Sequence, residues 1–190
     1  MRKVILYLNV SLDGFAQGVQ DWDINWINFT DELGDYSKEI LTTVDTVMWG
    51  RRTYLGMQQY WTSVPGNPSA SNYDKTHAEW IKRTTKVVFS TTLDKAEWEN
   101  SFLVKGNMEE EIIKLKNQQG GDIIILGSPQ FASQVSQFGL IDEYRININP
   151  ILLGKGLPML SHLVDQIKLK LVENRIFESG VIGLIYRLDK

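Results

Sequence analysis

Apolar positions in this chain gather into short runs, and the runs are separated by stretches with helical spacing. Lys3 to Val10 is the first run, with Val4, Leu6 and Leu8 set against Ile5 and Tyr7. Apolar residues on both faces predict a central strand covered on each side. Ser11 to Asn28 has no period and carries Gly14, Gly18, Trp22 and Trp26. Thr30 is placed to cap a helix reaching about Leu41, with Leu33, Tyr36 and Ile40 on one face. Thr46 to Trp49 predicts the second strand, and Arg51 to Met57 opens the second helix. Gln58 to Ser71 reads as loop, marked by Pro65, Gly66, Asn67 and Pro68. Asn72 to Arg83 is helical, with Tyr73, His77 and Trp80 aligned.

The same alternation continues. Lys86 to Ser90 predicts a third strand, and Phe102 to Lys105 a short one. Asn107 and Glu110 have capping-box spacing for a helix ending near Gly120. Asp122 to Leu126 predicts a fourth core strand that stops on Gly127. Ser128 is then placed to cap a helix with Pro129 at its first position. The last fifty residues change character. Glu143 to Ile148 and Ile167 to Leu171 alternate, and Glu178-Ser179-Gly180 is a turn before a strand from Val181 to Leu188. Alternation predicts antiparallel strands with one wet face. Asn147 to Leu153, with Pro150, suits a bulge or a sheet edge. The sum is an α/β fold: one mixed, mostly parallel sheet with antiparallel C-terminal strands and helices on both faces. No repeat or linker interrupts it, so residues 1–190 are expected to form one domain.

Composition narrows the function classes. Apolar residues make up 43% of the 190 positions, enough for a full core. Net charge is −3, with no basic block, so no nucleic-acid partner is expected. Cysteine is absent. Disulfides, thiolate catalysis and cysteine metal sites are therefore excluded, and a cytoplasmic location is compatible. The N-terminal apolar run is broken by Asn9, Ser11 and Asp13, which reads as a strand rather than a signal peptide. No apolar run approaches the roughly 20 residues of a membrane helix. The two histidines, His77 and His162, have no triad or metal spacing, so no metal site is expected. His77, sharing a face with Tyr73 and Trp80, reads as a packed residue. Redox chemistry carried by a bound cofactor asks least of so unreactive a side-chain set.

Three strand ends carry phosphate-friendly turns: Trp49-Gly50-Arg51-Arg52-Thr53, Phe89-Ser90-Thr91-Thr92 and Leu126-Gly127-Ser128-Pro129-Gln130. Glycine lets an oxyanion approach the backbone, and a helix start offers unpaired N–H groups and a positive dipole end. Three such turns predict a dinucleotide. None matches GxGxxG or GxxxxGK[ST]. Asp13, before Gly14, is a candidate to orient or protonate a substrate. Asn9, Gly14, Trp22 and Asp23 complete the substrate-binding candidates.

Six blocks carry a resemblance over nearly the whole chain. They are Ser11-Leu12-Asp13-Gly14, Val47 to Tyr54, Val87 to Thr91, Ile123 to Ser128, Leu140 to Glu143, and Pro150 to Gly156. Together they resemble the dihydrofolate reductase superfold. More closely, they resemble the reductase domain of bifunctional riboflavin-biosynthesis deaminase–reductases and its stand-alone relatives. The resemblance implies a three-layer fold, NADPH, reduction of a small-molecule substrate and a homodimer. By position it implies Arg51, Ser90 and Thr91 near the adenosine 2′-phosphate, Arg52 and Thr53 near the pyrophosphate, and Gly127 to Phe131 receiving pyrophosphate and ribose. Two arginines exceed the need of a pyrophosphate, which favours NADPH over NADH.

Two departures qualify the resemblance. Dihydrofolate reductases carry a glycine pair where this chain has Gly127-Ser128. They also place a substrate acid about five residues after the loop tryptophan, where this chain has Ile27. The substrate expectation is therefore a riboflavin-precursor-like pyrimidine, a pterin-like ring or a carbonyl compound, rather than folate itself. The alternative is a non-catalytic protein that binds a dinucleotide, flavin or folate-like ligand.

Overall fold

The computed structural model describes residues 1–189. The chain opens with β1 (Val4–Ser11) and the short β2 (Phe15–Gln17), then α1 (Asp31–Leu41) and β3 (Val44–Gly50). Next come α2 (Arg51–Ser63), a 3-10 turn at Val64–Gly66, α3 (Asn72–Arg83), β4 (Thr85–Phe89) and β5 (Ser101–Val104). There follow α4 (Met108–Asn117), β6 (Asp122–Leu126), α5 (Pro129–Gln137) and β7 (Glu143–Asn149). The chain closes with β8 (Leu157–Pro158), β9 (Leu169–Ile176) and β10 (Ile182–Leu188).

Eight strands form one sheet in the order β5-β4-β3-β6-β1-β7-β10-β9. β4, β3, β6 and β1 run parallel to their neighbours, and β10 runs antiparallel to both β7 and β9. The two-faced pattern of β1 is satisfied as expected. Val4, Leu6 and Leu8 pack with Ile112 of α4 and with Phe131 and Val135 of α5. Ile5 and Tyr7 pack on the other side with Leu33, Tyr36 and Ile40 of α1, Tyr54 of α2 and Ile81 of α3. The result is helix, sheet, helix: three layers with two cores. Because β1, β3, β4 and β6 share a direction, their carboxyl ends open on one edge, and ligands of such sheets bind there.

Helix starts follow the chemistry of their caps. Thr30 accepts from Leu33 N at the head of α1, and Ser71 with Asp74 closes a reciprocal capping box on α3. Asn107 accepts from Glu109 N and Glu110 N, but Glu110 meets the Asn107 side chain instead of its backbone, so only half of the predicted box forms.

Several expectations are corrected. α2 runs on through Gln58–Ser63, because nothing in that stretch breaks a helix before Pro65-Gly66. β7 is neither wet-faced nor an edge. It lies between β1 and β10, with both faces largely covered, and ends one residue before Pro150. The edge on that side of the sheet is β9, shifted toward the C-terminus of the predicted run and open on both faces, which is why its periodicity fades after Leu171. The β2–β8 pair has no sequence signal. It forms because Gly156 packs directly against Gln17, where an added Cβ would stand 2.1 Å from the carbonyl oxygen.

Candidate functional site

The carboxyl ends of the central strands face a cleft of about 1260 Å³. That exceeds the upper range of roughly 300–1,000 Å³ for a single drug-sized ligand, so it has room for an extended one. Two helix starts form its floor. β3 ends on Gly50, which precedes α2 without a side-chain cap, and no acidic residue lies in the first turn. β6 ends at Leu126, and the chain turns through Gly127 at φ +70° and Ser128 at φ +55° into α5. Here too the first turn has no acid and no side-chain cap. The predicted Ser128 cap is thus corrected. Its left-handed backbone turns the hydroxyl away from α5, and Ser128 Oγ accepts from Gly50 N at 3.2 Å. The other three α-helices are all side-chain-capped, with acids in their first turns. The two starts at the cleft are tied together and their N–H groups are left for an anion.

The surrounding backbone is held firmly. Trp49 Nε1 donates to Leu126 O at 2.7 Å, and Gly127 N donates to Tyr7 O at 3.0 Å. An added Cβ at Gly50 would stand 3.3 Å from Phe131 Cβ, so glycine lets α5 approach β3. Arg51, Arg52, Thr53, Gly127, Pro129, Gln130 and Phe131 line the cleft with Gly50, Leu126 and Ser128. Arg51 Nη1 donates to Thr92 Oγ1 at 2.7 Å. Ser90 Oγ accepts from Thr92 N at 3.2 Å and Leu93 N at 3.0 Å. Ser90 and the exposed Thr91 therefore sit beside Arg51, just outside the cleft lining.

The irregular segment after β2 folds over α2. Asp21 ion-pairs with Arg52. The Trp22 ring lies on Gly56, where an added Cβ would stand 1.8 Å from it, and Trp22 adopts φ +63° to reach there. Trp22 lines the cleft as expected. Asp23 does not. Its carboxylate lies against Gly18, and its carbonyl accepts from Gly18 N and Trp26 Nε1.

Asp13 and Gly14 also lie outside the lining. Asp13 Oδ1 accepts from Ser11 Oγ at 2.6 Å and Leu153 N at 3.1 Å, and Oδ2 accepts from Gly154 N at 2.7 Å. The Ser11 hydroxyl, with those two amides, holds the Asp13 carboxyl below its ordinary pKa. Through these bonds Asp13 ties the loop after β1 to the loop at Leu153-Gly154. Asn9 does line the cleft, and its Oδ1 accepts from Asn147 Nδ2 at 3.3 Å.

The other end of the cleft is built by residues that carried no functional reading. Tyr7 of β1, Ser37 of α1, and Tyr73 and His77 of α3 all line it. Tyr7 Oη and Ser37 Oγ are 2.7 Å apart, and Ser37 Oγ donates to Leu33 O at 3.0 Å. Tyr73 Oη lies 3.4 Å from His77 Nδ1. The packed reading of His77 holds: its ring sits among Trp61, Tyr73 and Trp80, with centroids 4.2, 5.6 and 5.1 Å away. Burial pushes His77 down to about 4, against the upward pull of Asp74, and pushes Tyr7 up to about 12. The Tyr73–His77 spacing of four put both residues on one helix face, and nothing local in the sequence placed that face beside the cleft. Ile27 also lines the cleft, in the bend before α1, and offers no acid.

Comparison with known proteins decides the family. The RibD C-terminal domain model matches residues 2–182. The chain belongs to the RibD C-terminal domain family. Uncharacterized protein YyaP of Bacillus subtilis (strain 168) is 31% identical over 185 residues, covering 97% of this chain and 94% of YyaP. A putative riboflavin biosynthesis protein from Shewanella sp. PV-4 superposes with a TM-score of 0.72 at 22% identity, covering 99% of both chains. Dihydrofolate reductase from Enterococcus faecalis, complexed with NADP(H), superposes with a TM-score of 0.61 at 12% identity, over 99% of this chain and 97% of that one. The predicted dihydrofolate reductase-like fold and the predicted family are both shown. Membership in the RibD reductase family supports an oxidoreductase.

Proposed function

We propose that this protein is an NADPH-dependent reductase of a small polar heterocycle, of the riboflavin-precursor pyrimidine or pterin kind, or of a carbonyl compound. The observation that carries this reading is the pair of uncapped, acid-free helix starts joined by the Gly50–Ser128 hydrogen bond and flanked by Arg51 and Arg52. That arrangement fits two linked phosphates better than one, since each start supplies its own N–H groups. When bound, NADPH supplies a hydride to a carbonyl or imine carbon, and a proton completes the heteroatom. Gly50 and Gly127 to Phe131 would hold the pyrophosphate and adjoining ribose, with Arg52 and Thr53 beside them. Arg51 with Ser90 and Thr91 would hold the 2′-phosphate.

Arg51→Ala should weaken NADPH about tenfold to a hundredfold, the scale of one charge-assisted contact, and NADH far less. Fluorescence titration with both nucleotides checks this, and equal loss for both overturns the 2′-phosphate assignment. A second reading, a non-catalytic binder, is favoured by the lack of an acid at Ile27. It predicts saturable NADPH binding without oxidation across a panel of pterins, pyrimidines and carbonyls.

A homodimer is supported by the open β9 edge, where Leu171, Val172 and Ile176 are exposed. Among the described residues no helix is long and apolar enough to cross a membrane.

A further inference from the structure

A strap of irregular chain runs from β2 to α1, along the cleft and over α2. It is pinned at both ends. Gln17 pairs with Leu157 of β8, and Asn28 N donates to Asn149 Oδ1 at 3.1 Å. Between the pins the strap bonds to itself: Gln17 Nε2 donates to Gln20 O at 2.9 Å, Gly18 N to Asp23 O at 2.8 Å and Ile24 N to Trp22 O at 2.9 Å. Trp22, Ile24, Asn25 and Ile27 of the strap line the cleft. Among the described residues, one hydrogen-bonded contact joins the strap to α2, the ion pair of Asp21 with Arg52. The Trp22 ring on Gly56 is the apolar contact beside it.

Both side chains of this pair are largely exposed, and an exposed pair contributes little to stability. Its position is more telling. α1, α3 and α4 carry acids in their own first turns. α2 carries none, and it begins with Arg51 and Arg52 after an uncapped Gly50. Such a start attracts an anion. The chain itself delivers one, from thirty-one residues upstream. Arg52 lines the cleft, so the Asp21 carboxylate holds the guanidinium that an incoming phosphate would meet. The strap's second carboxylate, Asp23, lies against Gly18 instead.

We propose that Asp21 is a built-in competitor for phosphate at Arg52, a resident carboxylate that the pyrophosphate of a nucleotide displaces. The identity of the incoming group rests on the NADPH reading above; the competitor is a separate assignment to this chain's own strap. A phosphate and a carboxylate at one guanidinium repel each other, and the phosphate, with more charge and more acceptor oxygens, takes the contact. Asp21 therefore lowers the affinity of the site and favours release. It acts alike on NADPH and NADH, because both carry the pyrophosphate. Displacement also leaves the strap resting on α2 through Trp22 alone. Occupancy of the phosphate site is thereby passed to a wall of the cleft.

The test is calorimetry with inorganic pyrophosphate, NADPH and NADH on wild type, Asp21→Asn, Arg52→Gln and the double variant. Asp21→Asn should tighten all three ligands by about threefold to tenfold, the scale of an exposed ion pair together with a relieved like-charge repulsion. The gain should shrink as salt is raised and vanish when Arg52 is replaced. Asp21→Ser serves if Asp21→Asn fails to fold. A bracing role alone would loosen the strap in these variants without tightening any anion. In wild type, pyrophosphate should raise the acrylamide quenching of Trp22, read as the difference from Trp22→Phe, and unchanged quenching overturns the coupling to the strap. Nucleotide binding that is unchanged or weaker in Asp21→Asn, or a gain that survives the loss of Arg52, overturns the competitor and leaves the cofactor reading intact. Pyrophosphate that follows the expected pattern while neither nucleotide binds overturns the cofactor reading and leaves the competitor. If none of the three binds the Asp21→Asn protein at millimolar concentration, both fall.

Discussion

His77 exchanges water for a box of Trp61, Tyr73 and Trp80, and that exchange has a consequence for stability. Its pKa falls from 6.5 in the unfolded chain to about 4 in the fold, with burial as the main cause. Between those values the unfolded state binds a proton that the native state refuses. Stability from this residue is therefore complete above pH 6.5 and is lost as pH falls toward 4, by up to about 1 kcal/mol per pH unit. Urea midpoints from pH 7.5 to 4 in wild type and His77→Gln should show a shallower slope in the variant, and identical slopes would count against it. The packing of His77 was legible from its helical spacing with Tyr73 and Trp80. Its place in a cleft was not, because the cleft joins α3 to β1 and α1, which lie more than thirty residues away in the chain.

At the scale of elements, the fold over α2 is set by a missing side chain. Gly56 in a helix interior costs roughly 1 kcal/mol relative to alanine, and the gap it leaves is filled by Trp22. Gly56→Ala restores helix propensity but brings a methyl group into the ring, so Trp22 must leave. Acrylamide quenching should rise in this variant, with Trp22→Phe as the reference that isolates Trp22 from the other five tryptophans. Unchanged quenching would mean that the ring does not rest there. The strand–glycine–helix turns were readable because each is local. Ser128 was misassigned as a side-chain cap because its left-handed backbone follows from packing between α5 and β3, which no local rule reports. The partners of Asp13 were hidden for a similar reason: the amides that hold it belong to Leu153 and Gly154, about 140 residues further on.

For the whole molecule, β9 leaves one edge of the sheet unpaired, and the proposed homodimer would cover it. β9 is exposed on both faces and carries exposed Leu171, Val172 and Ile176. Sedimentation velocity should show a dimer at micromolar concentration, and Val172→Lys should convert it to monomer without unfolding it. A wild-type monomer at tens of micromolar would overturn the homodimer. Apart from β2 and β8, the order of elements, the two-faced β1 and three phosphate-shaped turns were determined by the sequence alone, because each depends on neighbours within a few residues. Tertiary structure alone decided that the turns at Gly50 and Ser128 bond to each other, that Arg52 meets Asp21, and that β7 lies inside the sheet. It also decided that Ser37, Tyr73 and His77 line the same cleft and that Asp13 lies outside its lining. Strand order and side-chain convergence are relations between distant segments, and they exist only once the sheet has closed.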